Sequence, residues 1–298
     1  MELNLKSFAS QISVFFLLLG INIVIFTSIS GLTAKLFFGA DNLYTAESLR
    51  YISSLTQIGI FGLTAFGCAF LFSNRKTANY LQLNTGISGL NCLLIILIAI
   101  ISLPALSYII EWNEGIKLPQ NLSSIETWMR VKEDAASELT SLMLSGKSVS
   151  VLFLNLIVMA IIPAVCEEFL FRGFLITWFK NLFRNKHIVV FLSALLFSAI
   201  HLQFFGFVPR FLLGLYFGYL FIWTGSLWAC VIAHFINNSM TVIVAYLFNN
   251  QLINTEYQQF GNVGDNYLLI GLSVIFSSIC IFLLYRKGKG NTITVQTK

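Results

Sequence analysis

Residues 149–179 read VSVLFLNLIVMAIIPAVCEEFLFRGFLITWF. As a helix this run of 31 residues is longer than the roughly 20 needed to cross the hydrocarbon core of a bilayer. Its second half nevertheless carries Glu167, Glu168 and Arg172. An ionised side chain at the bilayer centre costs roughly 2.5 to 3.5 kcal/mol, so the three together cost about 10 if unpaired. Such a cost calls for a compensating partner or a function. Pro163 removes one backbone hydrogen bond, which predicts a bend one turn before the two acids.

The rest of the chain has the same character. Of 298 residues, 57% are hydrophobic and 10% charged, and the mean hydropathy is +0.80; a soluble domain carries about 25% charged residues. The pattern predicts an all-α, polytopic membrane protein with about eight transmembrane helices. The candidate spans are Ile12–Phe38, Tyr51–Phe72, Ile87–Ile110, Val149–Phe179, Ile188–Phe207, Arg210–Trp223, Leu227–Phe248 and Tyr267–Tyr285. The sixth is the shortest, its ~15 residues rising only about 22 Å. The first apolar run is longer than the core of a signal peptide, with no small-residue cleavage site close behind, and reads as an anchor. With no repeat or linker, residues 1–298 form a single membrane domain.

The formal charge of +5 is unevenly distributed. Lys6; Arg75 and Lys76; Lys180, Arg184 and Lys186; and Arg286, Lys287 and Lys289 fall at the chain's start, its second and fourth loops and its end. Most acids fall in the alternate loops. By the positive-inside rule both termini are cytoplasmic, and the basic balance reports topology rather than a nucleic-acid partner. The expected location is a bacterial plasma or inner membrane. The five cysteines lie in apolar spans without C-x-x-C spacing and read as packing residues. Cys166 beside Glu167 is no nucleophile on this reading, because an apolar setting disfavours the thiolate.

The only long connection, residues 111–148, is extracytoplasmic. Ser123 and Glu126 have capping-box spacing, and Ile125, Trp128, Met129, Ala136, Leu139 and Met143 recur at helical spacing. An amphipathic helix in the outer interface is expected, with a lid over a substrate entrance as the sharper alternative.

Spacing gives the charged cluster internal order. Glu168 and Arg172 stand at i, i+4 in the favoured acid-first orientation. Glu167 is rotated about 100° away, so it needs a partner from another helix or water. Counted from the cytoplasmic ends, Glu167 and His201 lie roughly 18 to 20 Å deep, and His234 and Asn238 on the seventh span roughly 11 and 17 Å deep. Four polar groups from spans four, five and seven thus share a layer, with the site between those helices and a catalytic core at 149–248. A desolvated glutamate that takes a proton from water, with His201 holding that water and His234 and Asn238 as oxyanion donors, suits peptide hydrolysis. Glu167, His201 and His234 equally match the ligand set of a divalent metal such as zinc. Each residue alone also has a structural reading: Glu168 and Arg172 an ion pair, the histidines hydrogen-bonded core residues, Asn238 interhelical glue. His187, beside Lys186, reads as a loop residue.

These motifs resemble those of the CPBP intramembrane peptidases, the family of type II CAAX prenyl endopeptidases and bacterial Abi-type proteins. Glu167-Glu168-Phe169-Leu170-Phe171-Arg172-Gly173 is similar to E-E-x-x-x-R with an F-R-G ending, Phe197 to His201 to F-x-x-x-H, and His234 to Asn238 to H-x-x-x-N. Arg210, Gly214, Gly218 and Thr224-Gly225-Ser226 are also similar to what members carry. The resemblance implies eight membrane helices, water activation by Glu167 with His201, an oxyanion site at His234 and Asn238, and support from Glu168 with Arg172. Many members carry a metalloprotease name. The expectation is therefore an intramembrane endopeptidase acting on a protein or peptide in the bilayer. A non-catalytic scaffold or bacteriocin-immunity protein is the alternative, and a proton-coupled transporter a weaker one, for want of paired broken helices.

Overall fold

A computed structural model of the chain describes residues 7–73 and 76–288. Among the described residues no strand occurs, and the chain is an all-helical integral membrane protein. Its principal helices are α1 (Phe8–Phe38), α2 (Ala46–Phe72), α3 (Gly89–Ile101), α4 (Leu103–Glu114), α5 (Ser123–Leu144), α6 (Val149–Phe179), α7 (Lys186–Ala199), α8 (Phe207–Thr224), α9 (Leu227–Asn249) and α10 (Tyr267–Gly288). Six of them are long and apolar enough to cross a membrane: α1, α2, α6, α8 with its preceding 3₁₀ turn, α9 and α10. The third expected span is the pair α3 and α4, bent by 49°, with Pro104 in the first turn of α4.

The short segment is the fifth rather than the sixth. The apolar run continues to Phe207, but α7 ends after 14 residues, about 21 Å of helix. The chain then turns through Ile200–Gly206, with Leu202 at φ 52°. Irregular backbone at membrane depth persists only where protein groups satisfy it. Here Asn113 Nδ2 donates to the Phe204 carbonyl at 3.3 Å, Asn113 Oδ1 accepts from Val208 N–H at 2.8 Å, and Glu133 Oε2 accepts from Phe205 N–H at 3.2 Å. Two connections from elsewhere in the chain thus hold the α7–α8 turn.

Glycines let α7 and α8 pack closely. A Cβ on Gly214 would stand 3.1 Å from Ala194 Cα, and one on Gly218 2.8 Å from Val190 Cγ1. The G-x-x-x-G step is a packing surface, as expected of small residues between membrane helices.

Helix α5 exists over 22 residues, but its start differs from a capping box. Glu126 does not reach back to Ser123; its Oε2 accepts from Leu118 N–H at 2.8 Å, and its Oε1 accepts from Arg130 at 2.7 and 2.9 Å. Arg130 also donates to the Ile116 carbonyl, which turns the incoming segment back on the helix. Trp128 and Val131 are exposed. At the far end, buried Arg50 of α2 donates to the carbonyls of Met143 and Ser145 and to Asn155 Oδ1 of α6. That clamp ties the end of α5 to two spans.

Trp178 donates to Gln11 Oε1, Trp228 to the Leu83 carbonyl and Lys287 to Ser88 Oγ, so the connections carrying Lys180, Arg184, Lys186, Arg286 and Lys287 share one side of the bundle. Lys6, Arg75 and Lys289 lie outside the described residues. The cysteines are free thiols.

Candidate active site

Two π turns, Leu156–Ile161 and Phe169–Ile176, bracket the acids of α6, and Pro163 falls just after the first. Each π turn inserts an extra residue and re-aims the side chains beyond it, a distortion common at functional sites. Pro163 has no N–H to give the Met159 carbonyl four residues back. That carbonyl accepts instead from Asn238 Nδ2 of α9 at 3.2 Å. The proline and the asparagine are thus complementary across two helices, and Asn238 Oδ1 accepts from Asn237 Nδ2 at 3.3 Å.

Glu167 and Glu168, adjacent in sequence, have different surroundings. Fully buried Glu168 accepts from Arg172 Nη1 at 2.8 Å through Oε1, and His234 Nδ1 stands 2.9 Å from the same oxygen. Arg172 Nη2 donates to the Gly214 carbonyl at 3.0 Å. The guanidinium lies over the rings of Phe197 and Phe217, at 4.5 and 5.3 Å, which favours the cation. The charge cost anticipated for α6 is therefore largely offset within a closed group of Glu168, Arg172, His234 and two aromatic rings. His234 is tied to Glu168, a partner that sequence spacing did not assign, and lines the same cavity as Glu167.

Glu167 finds its partner on α2. Gln57, at the start of a third π turn, donates through Nε2 to Glu167 Oε1 at 3.1 Å. Sequence reasoning missed Gln57, because a glutamine 110 residues away carries no motif; its only signal is an amide inside an apolar span.

His201 stands on the turn after α7 rather than within a helix. Its Nδ1 is 2.8 Å from the Phe197 carbonyl. A carbonyl only accepts, so Nδ1 carries a proton, and in the neutral ring Nε2 keeps a free lone pair. The F-x-x-x-H spacing thus has a physical basis: the Phe197 ring covers Arg172 while its carbonyl sets the tautomer of His201. Glu167, His201, His234 and Asn238 all line one cavity of about 160 Å³, together with Phe197, Arg210, Leu213, Phe217 and Asn237. Glu168 and Arg172 do not line it and stand behind His234.

The metal alternative rests on Glu167, His201 and His234. Among the described residues, no three His, Cys, Asp or Glu side chains converge on a point where a metal ion is held. Glu167, His201 and His234 share a cavity without forming a three-ligand set.

Residues 149–240 match the family model described as type II CAAX prenyl endopeptidase, Rce1-like. The chain carries an Rce1-like domain. The match runs from the start of α6 into α9 and includes all six candidate residues, so this stretch is similar to an intramembrane peptidase domain, consistent with the CPBP motifs. The peptidases that this model describes act on protein or peptide substrates at the membrane. Searches of curated proteins and of solved structures return no match. Helices α1 to α5 and α10 lie outside the matched stretch, so Gln57 and Glu133 reach the Rce1-like domain from elsewhere in the chain.

Proposed function

We propose that the protein is an intramembrane endopeptidase that hydrolyses a peptide bond with water activated by Glu167 and His201. The observation that carries this reading is the single cavity lined by Glu167, His201, His234 and Asn238, with the Nε2 lone pair of His201 unused. A water between the Glu167 carboxylate and His201 Nε2 gives a proton to one of them as its oxygen attacks the scissile carbonyl carbon. Nδ1 of His234 is held by Glu168, so the imidazolium form presents Nε2–H toward the cavity. With the second N–H of the Asn238 amide, it supplies donors for the tetrahedral oxyanion. Collapse breaks the C–N bond, and the stored proton goes to the leaving amine.

Both termini and the side bearing Lys180, Arg184, Lys186 and Arg286 are assigned to the cytoplasm by the positive-inside rule, which puts α5 on the outer face.

The test uses purified protein in lipid with a panel of membrane-tethered peptides. The wild type is expected to cleave at least one peptide, and Glu167→Ala and His201→Ala to abolish that cleavage while remaining folded. Equal activity of the two variants and the wild type would remove the proposal.

A further inference from the structure

Two more cavities lie beyond the site on the α5 side, of about 500 and 250 Å³. They share Glu114, Glu133, Arg210, Tyr257 and Gln258, and the smaller also shares Arg210, Leu213 and Asn237 with the cavity around Glu167. Arg210 thus lines all three, at the throat between an outer vestibule walled by α5 and the site itself.

The guanidinium is held in place. Nη1 donates to the Gln203 carbonyl at 3.1 Å and Nη2 to Gln203 Oε1 at 2.7 Å. Gly206 makes room for it, since a Cβ there would stand 2.6 Å from Nη1. Both bonds go to neutral oxygens, and the nearest carboxylate, Glu133 Oε1, is 4.0 Å from Nη2, beyond a hydrogen bond. Glu133 is itself engaged by Phe205 N–H through its other oxygen, and burial pushes its carboxyl above the usual range. Arg210 also sits in the first turn of α8, where a cation opposes the helix dipole. Its place is therefore not explained by helix stability, and the helix end adds to the positive potential at the throat.

We propose that Arg210 is a substrate-positioning residue that binds a carboxylate of the peptide, C-terminal or side-chain, as the chain passes from the vestibule to Glu167. A guanidinium with unused N–H groups in a fixed fork matches a planar carboxylate. Glu114 and Asp134 around the vestibule oppose an anion, and the other cation lining it, Arg130, is paired with Glu126 at 2.7 Å, so the carboxylate is retained at Arg210, where the register of the scissile bond is set.

The inference rests on the peptidase reading for its meaning, but its test uses binding. Full-length Glu167→Ala protein in nanodiscs is titrated with fluorescent, acyl-anchored peptides in two matched series. One pairs a C-terminal acid with its amide; the other pairs Asp or Glu with Asn or Gln at successive positions. At least one carboxylate peptide is expected to bind about tenfold more tightly than its neutral partner. Adding Arg210→Gln removes the difference, and Arg210→Lys keeps part of it. The series that responds identifies the source of the carboxylate. If every pair binds equally with Arg210 intact, or the preference survives Arg210→Gln, the proposal is wrong. The acid–amide comparison within one protein does not depend on how a variant folds. Cleavage by the wild type is scored separately: preference without cleavage removes only the peptidase reading, and cleavage without preference removes only this one.

Discussion

His234 Nδ1 and Arg172 Nη1 converge on the same oxygen of Glu168, at 2.9 and 2.8 Å. The geometry makes Glu168 the hub of the buried charge, with its other oxygen and Arg172 Nε unbonded among the described residues. Removing one partner of a buried pair strands the other, at about 3 to 5 kcal/mol. Glu168→Ala is therefore expected to lower stability by that order, whereas Glu167→Ala, which strands no buried cation, changes it little. Denaturant unfolding of the two variants in the same lipid or detergent measures the difference; equal losses would refute this division between the acids.

Gln57 bonds only one oxygen of Glu167, which leaves the carboxylate free to turn if the amide is removed. Gln57→Leu is expected to lower kcat about tenfold with little change in KM, as for a group that orients a reacting residue rather than binding substrate. Gln57→Glu is expected to be worse, because a second carboxylate beside Glu167 disfavours its charged form. A rise in KM at constant kcat would instead place Gln57 in substrate binding.

Glu133 lies on α5, outside the spans, and its carboxyl is raised above 4.5 mainly by burial, against the lowering pull of Phe205 N–H and Arg210 and with Asp134 acting upward. The folded protein keeps this proton to a higher pH than the unfolded chain, so the associated stability is present below 4.5 and is lost as pH rises through the folded value. Glu133→Gln cannot ionise and is expected to flatten the decline of the unfolding midpoint between 4.5 and neutrality. Superimposable pH profiles for wild type and variant would contradict this.

The helical fold and the company of the six motif residues were legible because apolar run length and residue count fix depth, and depth selects which side chains can meet. Rotation about the helix axis was not legible. Counting placed His234 in one layer with Glu167 without saying which acid it bonds; π turns lie on either side of Glu167 and Glu168, and His234 pairs with Glu168 while lining the cavity of Glu167. The end of α7 was hidden for a different reason: Ile200, Leu202, Phe204 and Phe205 are as apolar as the helix before them, and what lets the chain turn there is supplied by Asn113 and Glu133 from remote segments. Gln57 belongs to the same class of contact, set by tertiary packing rather than by a local pattern.

The bond from Asn238 Nδ2 to the Met159 carbonyl, opposite the N–H that Pro163 lacks, implies energetic coupling between two helices. Asn238→Ala in the wild-type background removes that donor from the part-buried carbonyl, a loss of about 1 kcal/mol. Pro163→Ala restores a backbone N–H one turn on, which can take the carbonyl itself. The double variant is therefore expected to lose less stability than the sum of the single ones, with a coupling of about 0.5 to 3 kcal/mol in a double-mutant cycle. Strict additivity would show that the proline and the asparagine act independently, and that Asn238 owes its position to the cavity rather than to the backbone of α6.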